Sequence, residues 1–380
     1  MLGGIDVLEA FGIGDEKIIP ICVIATMSSG KSTFLNAILG EEILPEKNEA
    51  CTARALAVIN NQYTKETRAY LHKKDGTKGV VEILSQGIME KINADENVEA
   101  VLIEKNILSL ANIKKQVVLI DTPGVNNSED IRHAKRTEDI LKQIQKGIII
   151  YLLNATQLAT NDDEILLQMV LDNIRKKPDV KIIFVLNKID MLDEEKESIS
   201  DAICVAKQYI KSHGLDDIKI FPISALSAKT FRMKLYGKRM TRIEERHLEQ
   251  NFPEYYGTTK CMLQYVDSYN QCAKIYEIGG LKVAEYELRR AIENTGIVEI
   301  EKQIQSLILQ QETEQVNPNS YYTFEGYKDL EGVYSRKRKS KNMKNYEGEV
   351  KWICKRCRQV NGDNSKCINC GASNVKLSLI

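Results

Sequence analysis

The chain has 380 residues, enough for one large α/β domain and something smaller. Lys plus Arg and Asp plus Glu number 53 each, so no global field singles out nucleic acid or an anionic membrane as partner. No apolar run approaches the roughly eighteen residues of a membrane span, and Met1 to Asp15 lacks the charged start and apolar core of a signal peptide. A cytoplasmic protein is expected, in which the nine cysteines are thiols or metal ligands rather than disulfides.

The first element is an apolar strand, Ile18 to Ile24. It runs into Ala25-Thr26-Met27-Ser28-Ser29-Gly30-Lys31-Ser32, and a helix is predicted over Ser32–Leu39. Strand, tight loop and helix is the setting in which this spacing makes a phosphate site. Backbone N–H groups of Ser28, Ser29, Gly30, Lys31, Ser32 and Thr33 are the candidate donors, reinforced by the helix dipole. Lys31 would reach the β- and γ-phosphates, and the Ser32 hydroxyl would ligate Mg²⁺. The pattern wants Gly where Ala25 stands; a methyl is tolerable there provided the backbone keeps a negative φ.

Strands are next expected at Ala55–Asn60, Arg68–His72, Val80–Ile83 and Ala100–Glu104, with Lys74-Asp75-Gly76-Thr77 as a hairpin turn. The apolar run Val117–Ile120 ends in Asp121-Thr122-Pro123-Gly124. Asp121 can hold Mg²⁺ through water, and the Gly124 amide can approach a γ-phosphate because no side chain obstructs it. A helix over Ile131–Gln145 and a strand at Ile148–Leu153 follow. Then come a helix over Asp162–Lys176, with Asn161 or Asp162 as its N-cap, and a strand at Lys181–Leu186.

That last strand ends in Asn187-Lys188-Ile189-Asp190. A carboxylate there accepts two hydrogen bonds from the guanine N1–H and exocyclic amine, a donor pair that adenine lacks. Asn187, Lys188 and Asp190 are therefore read as the guanine selector. A helix over Glu194–His213 and a strand at Lys219–Ile223 lead into Ser224-Ala225-Leu226, where a backbone N–H is expected to meet guanine O6. All four motifs fall at the carboxyl ends of strands. The fold class is accordingly α/β, a P-loop GTPase domain with a mostly parallel sheet and helices on both faces.

The run Ile24 to Gly40, followed by Leu44-Pro45 and Cys51-Thr52-Ala53, resembles bacterial members of the dynamin-like GTPase family over roughly residues 15 to 310. The resemblance implies that Thr52 closes over Mg²⁺ and orients the attacking water. It implies that Ser28 organises the transition state through a monovalent cation, K⁺ or Na⁺. Val125 stands where Ras-like enzymes place a water-orienting Gln, and Met27 where eukaryotic dynamins carry a catalytic Gln. The catalytic set is thus Ser28, Lys31, Thr52 and Gly124. A homodimer across the nucleotide face is implied, with GTP hydrolysed to GDP and phosphate. Only about 70 residues follow the last GTPase-type helix near Gly296–Gln310, so membrane fission by this chain alone is not expected.

Residues 229–280 read as a helical insertion packed on the domain edge, with a partner-binding surface as the alternative. Ile275 to Ile292 is amphipathic. Arg54 reads as a solvated strand residue before an arginine finger. His72, His133, His213 and His247 pair with no nucleophile and receive no role.

Beyond residue 310 the composition changes: residues 311–350 are polar and then basic, as in Ser335 to Lys341, and read as a linker. Cys354, Cys357, Cys367 and Cys370 form C-x2-C, nine residues, C-x2-C. Four thiolates so spaced can hold a structural Zn²⁺ in a ribbon over residues 351–374. With Trp352 and Asn361, the segment resembles a Ran-binding-protein-type zinc finger. That resemblance supplies the alternative function, a GTP-regulated module contacting RNA or a protein partner through the ribbon.

Overall fold

The computed structural model describes residues 8, 10, 11, 13, 18–46, 55–110, 116–122, 131–193, 195–216, 218–256, 262, 275–311, 327–330, 352–353 and 360–361. In chain order the elements begin with β1 (Ile18–Ala25), α1 (Lys31–Leu39), β2 (Ala55–Asn60), β3 (Arg68–Lys73) and β4 (Lys78–Val81). They continue with α2 (Gln86–Ala94), β5 (Val98–Lys105), β6 (Gln116–Asp121), α3 (Ile131–Gln143), β7 (Gly147–Asn154) and α4 (Asn161–Ile174). After these come β8 (Val180–Asn187), α5 (Ile199–Ser212), β9 (Ile220–Pro222), α6 (Ala225–Leu235) and α7 (Arg242–Tyr256). The series ends with β10 (Ile275–Ile278), β11 (Leu281–Ala284), α8 (Glu285–Asn294), α9 (Ile297–Gln311), β12 (Lys328–Asp329), β13 (Trp352–Ile353) and β14 (Val360–Asn361).

Ten strands form one sheet in the order β12-β4-β3-β5-β2-β6-β1-β7-β8-β9. The block β6-β1-β7-β8-β9 is parallel throughout. β2 runs antiparallel to β6 and parallel to β5, and β3 is antiparallel to both its neighbours. Every strand expected from the sequence as far as residue 223 lies in this sheet. The Lys74–Thr77 turn joins β3 to β4, with the Lys73 N–H donating to the Thr77 carbonyl at 2.9 Å.

β1 shows why these runs become central strands. All eight of its residues are buried, and alternate ones enter different cores. Ile19, Ile21, Val23 and Ala25 pack with α1, α6, α7, α8 and α9 on one face. Ile18, Cys22 and Ile24 pack with α3, α4 and α5 on the other. Each fully buried Ile or Leu side chain contributes about 1.5–3 kcal/mol. On α9 the buried positions Ile297, Ile300, Ile304 and Ile308 make one helical stripe against the first core.

The structure departs from the sequence expectations at four places. The N-cap of α4 is Thr160, whose side chain accepts from the Asp163 N–H in a reciprocal capping box. The helix expected from Glu194 begins at Ile199, where the Ser198 hydroxyl accepts from the Asp201 N–H at 3.0 Å. The start of the amphipathic run Ile275 to Ile292 is a hairpin, because Gly279 and Gly280, at φ 54 and 80, make the two-residue turn between β10 and β11. Lys328–Asp329, within the expected linker, pairs with β4 at the sheet edge.

In the 229–280 stretch, Leu248, Phe252 and Tyr255 of α7 are buried in the first core. The Phe231 ring lies 5.7 Å from that of Phe252 and 5.6 Å from that of Tyr255. The chain divides into two compact units, residues 1–334 and 335–380. In the second unit β13 and β14 pair antiparallel, Trp352 opposite Asn361.

Candidate functional site

The site is built where β1, β6, β8 and β9 end. Ala25 closes β1 in register with Leu152 of β7 and is absent from the residues at positive φ, so the condition set by its methyl is met. The loop then turns sharply: the Ser29 N–H donates to the Thr26 carbonyl at 3.3 Å. Ser28 sits inside this turn at φ 62. A left-handed non-glycine residue costs about 1–2 kcal/mol, and such strain persists only where the surroundings impose it.

Gly30 follows at φ 85, and a Cβ there would lie 2.5 Å from Asn187 Nδ2. Both facts require glycine. Gly30 caps α1 without a side-chain hydrogen bond, so no side-chain acceptor competes with an anion for the first-turn N–H groups. Lys31 is buried and ion-paired with Asp121, which β6 places next to Val23 of β1. The Thr122 hydroxyl donates to the Val23 carbonyl at 2.7 Å and fixes the chain just past Asp121.

Asn187 ends β8 and is buried. Its Nδ2 donates to the Ser29 carbonyl at 2.9 Å, and its Oδ1 accepts from the Ala225 N–H at 3.0 Å. One amide thus ties the loop between β1 and α1, the end of β8 and the start of α6 together. Lys188 follows at φ 65, with its side chain beside the Gly30 loop, and Asp190 lies half-buried in a short 3-10 turn. At the start of α6 the Ser224 N–H donates to the Thr295 carbonyl at 3.3 Å and the Ala225 N–H to the Asn187 amide oxygen at 3.0 Å.

Helix α7 faces this end of the site, which no sequence spacing indicated. Burial lowers the His247 pKa, opposed by the nearby Asp190 charge. Tyr255 is pushed up by burial and by the same Asp190 charge. A second unanticipated group is buried Lys229 on α6. Its Nζ lies 2.9 Å from Glu46, 2.9 Å from Glu244 and 3.5 Å from Glu42. These contacts pin the segment after α1 to α6 and α7. Burial and a hydrogen bond that Glu42 donates to Glu244 push Glu42 up to about 7. Burial opposes the opposite shift at Glu244, yet the Glu42 hydrogen bond, the Thr241 N–H and Lys229 bring it down to about 2.

Thr52, Gly124, Arg54, Val125 and the four cysteines Cys354, Cys357, Cys367 and Cys370 lie outside the described residues. Among the described residues there is no cluster of His, Cys, Asp or Glu that could hold a metal, and no helix long and apolar enough to cross a membrane. β13 and β14 flank the first C-x2-C pair in sequence.

Lys31 in its strand-loop-helix turn, Asp121 at the end of β6 and Asn187 at the end of β8 all lie within the span of one family match. Residues 21–189 match the Dynamin family. A bacterial dynamin-like protein of Nostoc punctiforme is 27% identical over 195 residues, 47% of this chain and 26% of the relative. Dynamin-like protein 1 of Campylobacter jejuni is 24% identical over 259 residues, 57% of this chain and 34% of the relative. A solved structure of an oligomerised bacterial dynamin pair, described as sensing and tethering membranes, aligns with a TM-score of 0.42 at 20% identity. It covers 80% of this chain and 44% of that chain. Over these segments the chain is similar in sequence to dynamin-type GTPases. The chain spans about a third or less of the length of the dynamin-like relatives it matches.

Proposed function

We propose that this chain binds guanine nucleotide at the ends of β1, β6 and β8 and hydrolyses GTP to GDP and phosphate. The observation that carries the reading is Asn187, whose single amide couples the Ser29 carbonyl of the phosphate loop to the strand bearing Lys188 and Asp190. Phosphate and base recognition are thereby one rigid unit. Lys31, with the N–H groups of Gly30 and the α1 start, spreads the charge that develops on the transferred phosphoryl group. Asp190 selects guanine by accepting from its N1–H and amine. Thr52 holds the attacking water, Gly124 gives its amide to the γ-phosphate, and Ser28 places a monovalent cation, in keeping with the dynamin-like resemblance.

The Asp121 carboxylate and Ser32 hydroxyl are hard oxygen donors at adjoining element ends, a set that fits Mg²⁺, with Thr52 as third contributor. When bound, Mg²⁺ neutralises charge on the phosphates. Lys31 now shares the Asp121 carboxylate, so nucleotide binding redistributes that ion pair. No glutamine stands after Gly124 to orient water, so we expect slow turnover alone and faster turnover when two nucleotide faces meet in a homodimer. Cys354, Cys357, Cys367 and Cys370 form a thiolate set suited to a structural Zn²⁺.

The test is a titration with labelled GTP, ATP and XTP alongside phosphate release. Preference for GTP, lost hydrolysis in Lys31→Ala and a shift toward XTP in Asp190→Asn are expected. Wild-type turnover in Lys31→Ala would sink the assignment.

A further inference from the structure

The second residue of the phosphate loop makes a bond that phosphate binding by itself does not require. Thr26 Oγ1 donates to Asp163 Oδ1 at 3.0 Å and lies 2.8 Å from Ser29 Oγ. A hydroxyl has one proton to give, and a carboxylate only accepts. The Thr26 proton therefore goes to Asp163, and Ser29 must donate to Thr26. The bonds run one way, from Ser29 to Thr26 to Asp163, and they join the two ends of the turn that holds Ser28 at φ 62.

Asp163 is 1% exposed and firmly anchored. Its Oδ2 accepts from the Thr160 N–H at 3.3 Å and the Thr160 hydroxyl at 3.0 Å, which closes the capping box of α4. The Tyr151 hydroxyl donates to the Asp163 carbonyl at 3.1 Å. Capping uses one carboxylate oxygen; the other is aimed at the loop, 137 residues away in sequence. Without that acceptor the Thr26 hydroxyl would be free to rotate, and the Ser29 hydroxyl would lose its oriented partner, leaving the Ser29 end of the turn held by its N–H bond to the Thr26 carbonyl and by the Asn187 bond.

We propose that Asp163 is a positioning residue for the phosphate loop. Held by the capping box, it orders Thr26 and Ser29, keeps Ser28 left-handed, and so aims the following N–H groups at the phosphates. This rests on the nucleotide reading above.

The experiment compares Thr26→Val, Thr26→Ser, Asp163→Ala and the Thr26→Val/Asp163→Ala double variant, at a temperature where each is folded. Thr26→Val keeps the branched shape and the α4 cap but removes the hydroxyl. Affinity for labelled GDP and a non-hydrolysable GTP analogue is expected to fall roughly tenfold. Amide exchange at Ser28 and Ser29, measured without nucleotide, should speed up. Thr26→Ser should restore both readouts. The double variant should lose no more affinity than Asp163→Ala, because the two residues act through one bond. Wild-type affinity and exchange in Thr26→Val overturn the proposal, as does failure of Thr26→Ser to rescue. A wild-type protein without affinity for any guanine nucleotide overturns the nucleotide reading and this role with it, while unaltered exchange in Thr26→Val overturns the positioning alone.

Discussion

Asn187 Nδ2 donates to the Ser29 carbonyl at 2.9 Å across 158 residues of sequence, while Oδ1 of the same side chain accepts from Ala225. Asn187, at the end of β8, is therefore a strut of the loop between β1 and α1. Its amide has a donor on one side and an acceptor on the other, a pairing that neither Asp nor Leu can reproduce.

Asn187→Ala is expected to weaken binding of GDP and of free guanosine alike, since both halves of the site lose their common support. It also leaves a buried N–H and a buried carbonyl without partners, a destabilisation of ~2–4 kcal/mol. Urea denaturation and nucleotide titration on the same protein check both. Loss of base affinity alone, with stability intact, would mean that the strut carries no weight.

Gly30→Ala tests the close approach from the other side. At φ 85 the added Cβ is strained, and it meets Asn187 Nδ2 at 2.5 Å. The asparagine has to move, and the loop moves with it. Turnover should fall about a hundredfold, the scale associated with misplacing a reacting group by an ångström. The fold should survive with a cost of about 1–2 kcal/mol. Phosphate-release kinetics beside a thermal melt separate these effects.

Much of this was legible in the sequence, and the exceptions have physical reasons. Buried strands such as β1 and β7 announce themselves because both faces are covered, so their apolar runs are unbroken. Lys31, Asp121 and Asn187 stood out by their spacing after such runs, and the structure pairs Lys31 with Asp121 and ties Asn187 to Ser29. The antiparallel placement of β2 against β6 was not, since period and composition carry no direction. Gly279-Gly280 did signal a hairpin turn, but the helical period of the surrounding run masked it. Thr26 with Asp163 and Lys229 with Glu244 left no local trace. Each is a contact between distant segments, and only the fold brings them together.

Arg232 and Glu301 form a buried bidentate pair, with Nη2 at 2.6 Å from the carboxylate, and Arg232 Nη1 also donates to the Ala37 carbonyl of α1 at 2.9 Å. The pair locks α9 and α6 to the helix that follows the phosphate loop. Arg232→Met leaves the Glu301 charge buried alone and should cost ~3–5 kcal/mol. Adding Glu301→Met should recover much of that loss, because the charge is then gone. Chemical denaturation of both variants decides it; equal instability in the double variant would point to packing instead of charge.

The carboxylates around Lys229 make a pH dependence whose sign is fixed. Glu42 is raised from 4.5 to about 7, chiefly by burial and then by its hydrogen bond with Glu244, and it faces Glu46, Glu244 and Lys229. The folded state holds a proton that the unfolded chain has already released. Its contribution is complete below pH 4.5 and is lost as pH rises through about 7. Glu244, lowered to about 2, acts oppositely: its contribution is present above 4.5 and lost as pH falls toward 2. The anchor of residues 41–46 should therefore be strongest near about pH 5 and loosen into mildly alkaline solution. Glu42→Gln keeps the neutral, hydrogen-bonding form at every pH. The difference in melting temperature between wild type and Glu42→Gln should shift in favour of the variant from pH 5 to 8, and a difference constant over that range would overturn the shared-proton account. Because this segment leads toward Thr52, nucleotide affinity should follow the same profile in the wild type and flatten in Glu42→Gln.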